Sequence, residues 1–213
     1  MKTEIILKEG YPFVLGSGFF AIISLLFLDE FLAILAFLLL FFFLYFFRNP
    51  ERIVEDSSKG VIISPSDGTI LSITDEISPL TNEESIKISI RLSIFDVHIQ
   101  RSPIEGEMSA REYIHGEFLS LNNEKASELN EQNRVLFENE ESKIIVNQIA
   151  GFITRRIVSF NDLGPIKLGE RYGMIMFGSQ VDVYLPKNIT LKVSEFQKVK
   201  AGESVIGYLN EKN

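Results

Sequence analysis

Residues 174–186 read MIMFGSQVDVYLP, an apolar stretch that runs into a Gly-Ser pair and out into an alternating strand. The pattern predicts a tight turn with the Ser179 hydroxyl at its tip. A glycine adopts backbone geometries closed to other residues, so the carbonyl of Gly178 can be presented to that hydroxyl for attack. Gly-Ser alone is also a commonplace turn. A second constellation is Asp96-Val97-His98. In a strand its first and third residues project to one side, where a carboxylate orients an imidazole and favours its charged form. Asp67 precedes Gly68 in SPSDG, the ordinary position of a turn aspartate.

Composition narrows the chemistry further. The chain has no cysteine, which excludes a disulfide framework, a thiolate nucleophile and a cysteine-based zinc or iron–sulfur centre. His98 and His115 are its two imidazoles, with no paired-histidine spacing, so no metal site is expected, and His115 reads as a turn or surface residue. A formal charge of −8 argues against nucleic acid, which needs a basic face, and against holding an anionic membrane by charge alone.

These residues sit in a stretch that reads as mainly β. Period-two patterns predict strands at 60–63, 69–74, 86–92, 107–113, 143–149 and 156–160, closely punctuated by Gly and Pro. One short helix is expected at 123–133, NEKASELNEQN, and Glu138, Glu140 and Glu141 read as a solvated hairpin tip. Two internal echoes, SPSDGTI at 64–70 with SPIEGEM at 102–108, and IKLGE at 166–170 with VKAGE at 199–203, point to a hairpin-built barrel or sandwich. The repeated units resemble the hairpins of lipoyl-type barrel-sandwich hybrid domains.

The first 47 residues differ. Eleven of the 18 phenylalanines fall there, in apolar runs at 12–28 and 31–47 separated by Asp29 and Glu30. Each is slightly shorter than the roughly 20 residues that cross a bilayer as a helix. A helical hairpin that spans the membrane and one that dips into one leaflet both fit. Either keeps Lys2, Lys8, Arg48 and Arg52 on the cytoplasmic side, and with them the domain from 48 to 213. The apolar length is too great for a signal peptide.

The run FGSQVDVYLP, with FFRNPER at 46–52, SPSDG at 64–68, IFDVHIQRSPIEG at 94–106 and QIAGFITRRI at 148–157, resembles the phosphatidylserine decarboxylases, in particular their short class with a two-helix leader. The resemblance implies a proenzyme that cuts itself between Gly178 and Ser179 into a large chain, 1–178, and a small chain, 179–213. Ser179 would become a pyruvoyl group, an electron sink for decarboxylation that replaces pyridoxal phosphate and needs no metal. It further implies His98 in decarboxylation, with Asp96 beside it, and Asp67 in the self-cleavage relay. Longer members carry a second histidine where this chain has Arg101, which cannot accept a proton. Either His98 serves both steps, or strain and an oxyanion pocket drive the cut. One of Arg155 and Arg156 suits the lipid phosphate, since in a strand they face opposite ways. The implied partners are a membrane phospholipid and the two chains of one precursor, with a homodimer left open. The alternatives are a membrane-tethered lipoyl-like adaptor without catalysis and the same chemistry on an ether-linked phosphoserine lipid.

Overall fold

A computed structural model describes residues 4–120, 123, 125–152, 156–177 and 179–210. The chain divides into two compact units, Met1–Glu51 and Arg52–Asn213.

The first unit is a helical hairpin. Helix α1 (Tyr11–Ile23) carries proline in its first turn and runs into a π-helical turn at Ser24–Leu28. Helix α2 (Glu30–Phe46) starts at Asp29, whose carboxylate accepts the Phe31 N–H at 2.8 Å and caps the helix. Small residues, Ser17, Ala21, Ala33 and Ala36, are buried and let the helices approach closely. Many of the large apolar side chains point outward, with Leu15, Phe19, Phe31, Leu38 and Phe41 all more than 60% exposed, whereas Phe46 and Phe47 are buried. Lys8–Phe27 is long and apolar enough to cross a membrane, and the second helix is shorter. A hairpin apolar on its outer surfaces points to membrane association.

The second unit is a β sandwich of three sheets, with no closed barrel among the described residues. Its strands are β1 (Val61–Ile63), β2 (Gly68–Ile77), β3 (Glu84–Leu92), β4 (Ile99–Arg101), β5 (Gly106–Ile114), β6 (Gln132–Glu138), β7 (Lys143–Ala150), β8 (Ile157–Ser159), β9 (Gly164–Ile166), β10 (Arg171–Ile175), β11 (Ser179–Pro186), β12 (Ile189–Leu191), β13 (Lys198–Val199) and β14 (Val205–Leu209). Eight form one sheet in the order β13-β2-β3-β11-β7-β6-β5-β9, and two three-stranded sheets run β1-β14-β12 and β4-β10-β8. Alternate residues of the large sheet, among them Ile88, Ile90, Val181, Val183, Val146 and Phe137, bury one face. Ile62, Ile206, Tyr172 and Ile175 of the smaller sheets join the same core. The Tyr172 ring meets Phe137 edge-on at 5.0 Å.

The sequence echoes are structural. Ser64 donates its hydroxyl to the Ser66 carbonyl, as Ser102 does to Ile104, at 2.7 and 2.6 Å. Gly202 N–H donates to Ser64 and Gly169 N–H to Ser102, both at 3.0 Å. Both glycines sit at positive φ, +78° and +73°. The halves also interlock, Ile63 N–H on the Pro103 carbonyl and Arg101 N–H on the Pro65 carbonyl.

The expected helix at 123–133 shortens to α3 (Ala126–Leu129). Gln132 instead opens β6, and its amide caps the helix by donating to the Ser127 and Glu128 carbonyls. Burial of Val135 and Phe137 in the core outweighs the helical preference of the polar residues before them. The tip at Glu140 and Glu141 is the exposed β6–β7 turn.

Candidate active site

Ser179 is not at the tip of a hairpin. Strands β10 and β11 belong to different sheets, so the chain crosses between layers here. Ser179 is the first residue of β11, opposite Leu92 on β3 and Ala150 on β7. Both edges of β11 are paired and its alternate Val181, Val183 and Leu185 fill the core, which draws the strand to the middle of the sheet. Ser179 is accordingly fully buried, and its Oγ has no hydrogen-bond partner among the described residues. A buried hydroxyl left this way is uncommon and costs stability. Phe177 has φ +49°, a left-handed conformation that costs a bulky residue roughly 1–3 kcal/mol. Gly178 lies outside the described residues, as does Arg155.

His98 is held against the strand that leads into this crossing. Its carbonyl accepts the Ile175 N–H at 3.2 Å, and its side chain is buried. Nδ1 lies 2.9 Å from the Asp96 carbonyl. A carbonyl only accepts, so Nδ1 carries the proton of the neutral ring and Nε2 is its acceptor atom. The expectation that the Asp96 carboxylate performs this orientation is corrected. Asp96 lies in a turn before β4, not in a strand, and its Oδ2 accepts the Ser93 N–H at 2.8 Å. The residue still sets the histidine tautomer, but through its backbone.

Asp67 gathers three segments. Its Oδ1 accepts the Ala201 N–H at 2.8 Å, Oδ2 pairs with Arg52 at 3.0 Å, and the Val97 N–H beside His98 also bonds to it. Burial pushes this carboxyl above the usual range, against the opposing pull of Arg52. The raised value and the ion pair are compatible, because desolvation outweighs one attractive neighbour. Arg52 also pairs with Glu203 at 3.0 Å. Arg101 is buried, donates to the Gly169 carbonyl at 2.9 Å, and is lowered to about 10 by burial and by Arg171 and Arg52 nearby.

The structure thus joins Asp67 to the segment carrying His98, and His98 to the strand before Ser179. Arg156 is exposed, and its carbonyl receives the Met176 N–H at 3.0 Å. His115 is exposed beside Tyr113. Among the described residues no group of three or more His, Asp or Glu side chains is arranged to hold a metal.

Two features escaped sequence reasoning. Arg52 and Glu203 form the ion network around Asp67, although Arg52 ends the FFRNPER motif and Glu203 closes one of the echoes. On the core face near Ser179, Asn133 donates to Gln148 at 2.6 Å and Gln148 to Gln100 at 2.9 Å, a chain of amides inside an otherwise apolar layer. No local pattern announces it, because its members come from three strands.

The sequence model of the family described as phosphatidylserine decarboxylase matches residues 39–207. A phosphatidylserine decarboxylase proenzyme of Geotalea uraniireducens (strain Rf4) is 41% identical over 210 residues, covering 98% of both chains. Proenzymes of the same name from Syntrophus aciditrophicus (strain SB) and Rickettsia bellii (strain OSU 85-389) are 39% and 42% identical, covering 95% and 98% of this chain and 96% and 92% of their own. With a match over most of its length and relatives aligned nearly end to end, the chain belongs to the phosphatidylserine decarboxylase family.

Proposed function

We propose that this chain is a proenzyme that cuts its own Gly178–Ser179 bond and then converts phosphatidylserine to phosphatidylethanolamine. The observation that carries the reading is the buried Ser179 hydroxyl, without a hydrogen-bond partner among the described residues, two residues after a left-handed Phe177. A nucleophile kept from water and from competing hydrogen bonds beside a strained backbone suits attack on its own peptide bond.

In the cut, Ser179 Oγ adds to the Gly178 carbonyl carbon while His98 Nε2 takes the hydroxyl proton. The C–N bond breaks, the proton passes to the released amine, and an ester joins the two parts. Loss of the Ser179 α-proton expels the Gly178 carboxylate and leaves a dehydroalanine. Its imine tautomer takes up water and releases ammonia. The resulting pyruvoyl group offers the substrate α-carbon an electron sink as carbon dioxide leaves. His98 Nε2, once protonated, is the donor available to that carbon.

Arg101 leaves no second imidazole here, so His98 is assigned both steps. Asp67, engaged by Ala201, Val97 and Arg52, is assigned a positioning role in self-cleavage, joining the His98 segment to the future small chain. Asp96 fixes the His98 tautomer through its carbonyl. Arg156, or Arg155 in its place, is assigned to the lipid phosphate. The hairpin of residues 1–47 anchors the chain in the cell membrane, with the catalytic part, 48–213, on the cytoplasmic face.

Intact mass of the purified protein tests the reading. Two chains are expected, the smaller beginning at former Ser179, blocked to Edman degradation and labelled by borohydride in the presence of amine, with phosphatidylethanolamine formed from phosphatidylserine vesicles. Ser179→Ala is expected to stay full length. A single uncut wild-type chain without decarboxylase activity would return the protein to a tethered adaptor.

A further inference from the structure

A bridge of three amides crosses the core between the layer that carries His98 and the layer that carries Ser179. Asn133 on β6 donates to Gln148 on β7 at 2.6 Å, and Gln148 donates to Gln100 on β4 at 2.9 Å. All three residues are 0% exposed. The end groups, Asn133 Oδ1 and Gln100 Nε2, bond to nothing among the described residues. Buried amides left partly unpaired cost stability, and an apolar set of the same shape would not, so folding alone gives no reason for the bridge. Gly173, opposite Gln100 on β10, leaves room for the crossing, since a Cβ there would lie 3.3 Å from Gln148 Nε2.

The bridge meets both strands of the site close to the reacting groups. Gln148 lies opposite Val181, two residues after Ser179 on β11. Gln100 lies two residues after His98, and on the other side of His98 the Val97 N–H bonds to Asp67. The His98 segment is therefore held at both ends, by Asp67 before it and by the bridge after it. In the uncut protein Ser179 is also joined to the His98 sheet through the backbone. The His98 carbonyl accepts the Ile175 N–H on β10, and β10 runs on through residues 176–178 to Ser179. Cutting removes that connection. Gln100, Asn133 and Gln148 all belong to residues 1–178, and β7 stays paired with β11, so the path from His98 through the amides to residue 179 survives. Hydrogen bonds fix distance and angle, whereas apolar contacts between layers are non-directional.

We propose that the Asn133–Gln148–Gln100 bridge is a positioning device that, once the Gly178–Ser179 bond is cut, holds the His98 imidazole in register with the new end of β11 for decarboxylation. This role rests on the pyruvoyl reading of Ser179. The three amides act through the strands that carry them rather than on the substrate.

N133L/Q148M/Q100M replaces the bridge with apolar side chains of similar shape and leaves no amide unpaired, so it is expected to melt within a few degrees of the wild type. The small chain is expected to appear within about three-fold of the wild-type rate, whereas kcat for phosphatidylserine in detergent micelles falls at least about ten-fold, with KM within about two-fold. A kcat within about two-fold of the wild type overturns the proposal, as does a parallel loss of both steps together with the melting temperature, the mark of a merely structural role. If the triple variant does not fold, Gln100→Asn, shorter by a methylene and unable to reach Gln148, is read in the same two assays with the same expectation. A second readout needs no turnover. His98 and His115 are the two imidazoles, so in a His115→Asn background ring-labelled histidine gives the His98 signal alone in NMR spectra. The triple variant is expected to shift that signal in the cut protein and to leave it in place in uncut S179A. No shift in the cut protein, or an equal shift in both, overturns the role. A wild-type chain that stays uncut overturns the decarboxylase reading and this role with it, whereas a wild type that cuts and decarboxylates beside a triple variant of equal kcat overturns this role alone.

Discussion

Cutting the Gly178–Ser179 bond is expected to leave one particle rather than two. The fragment 179–213 supplies β11, the strand between β3 and β7, as well as β12, β13 and β14. Val181, Val183, Leu185, Ile189, Val199 and Ile206 are each at most 9% exposed, and at roughly 2 kcal/mol per side chain their burial contributes about 12 kcal/mol. Part of that is internal to the fragment, because β12 pairs with β14, and ordering a free fragment offsets more. About 8 kcal/mol then corresponds to a dissociation constant near ~1 µM. Removal of β11 would also leave β3 and β7 with unpaired edges over an open core, so dissociation and unfolding are one event. Size exclusion of the cut protein in mild detergent, through a dilution series with denaturing gels of each fraction, measures this. Both chains should elute together above about 1 µM and part, on dilution below it or in urea, only as the β signal is lost. Release of the small chain by dilution or dialysis, with the β signal intact, would refute the reasoning.

Three further outcomes follow from the same geometry. His98→Gln removes the imidazole acceptor, and self-cleavage is expected to slow about 100-fold or more, read as the rate at which the small chain appears on a gel; cutting at the wild-type rate would remove His98 from that step. Gly68 has φ +148°, and a Cβ there would lie 2.4 Å from the Arg91 carbonyl oxygen on β3. Gly68→Ala is expected to cost about 3 kcal/mol and lower the melting temperature by about 6–12 °C, with a shift under a degree or two contradicting the clash. Asp182 is buried and its carboxyl is raised by that burial, against hydrogen bonds from Gln180 and Ser89. A raised folded pKa means that its stabilising contribution is fully present below the ordinary carboxylate pKa and lost as pH rises through the folded value. Asp182→Asn keeps an acceptor for Gln180, so it should melt above the wild type at neutral pH, with the gap closing toward about pH 4. Melting curves across that range decide it, and a deficit at every pH would show that the charge is needed.

Much of this protein was legible in the chain. The Phe-rich runs are apolar on every side, and Asp29 between them caps the second helix, so a hairpin was readable from composition and one polar pair. The strands were readable because alternation is a local property of the pleat. The echoes at Ser64 and Ser102 marked two copies of one turn because each turn is held by a serine hydroxyl and a carbonyl two residues away. Asp67, His98 and Ser179 stood out by residue type and motif. Tertiary structure decided what lies far apart in sequence. Pairing on both edges of β11 moved Ser179 from an expected turn tip to the buried first residue of a strand inside the sheet. The turn at 93–96 gave the orientation of His98 to a backbone carbonyl rather than to the Asp96 carboxylate. Arg52 and Glu203 meet around Asp67 only because three distant segments converge there. Local patterning specifies which faces are apolar and where the chain turns, whereas the environment of a buried hydroxyl, carboxyl or imidazole is set by the strands packed against it, and those are chosen by the whole core at once.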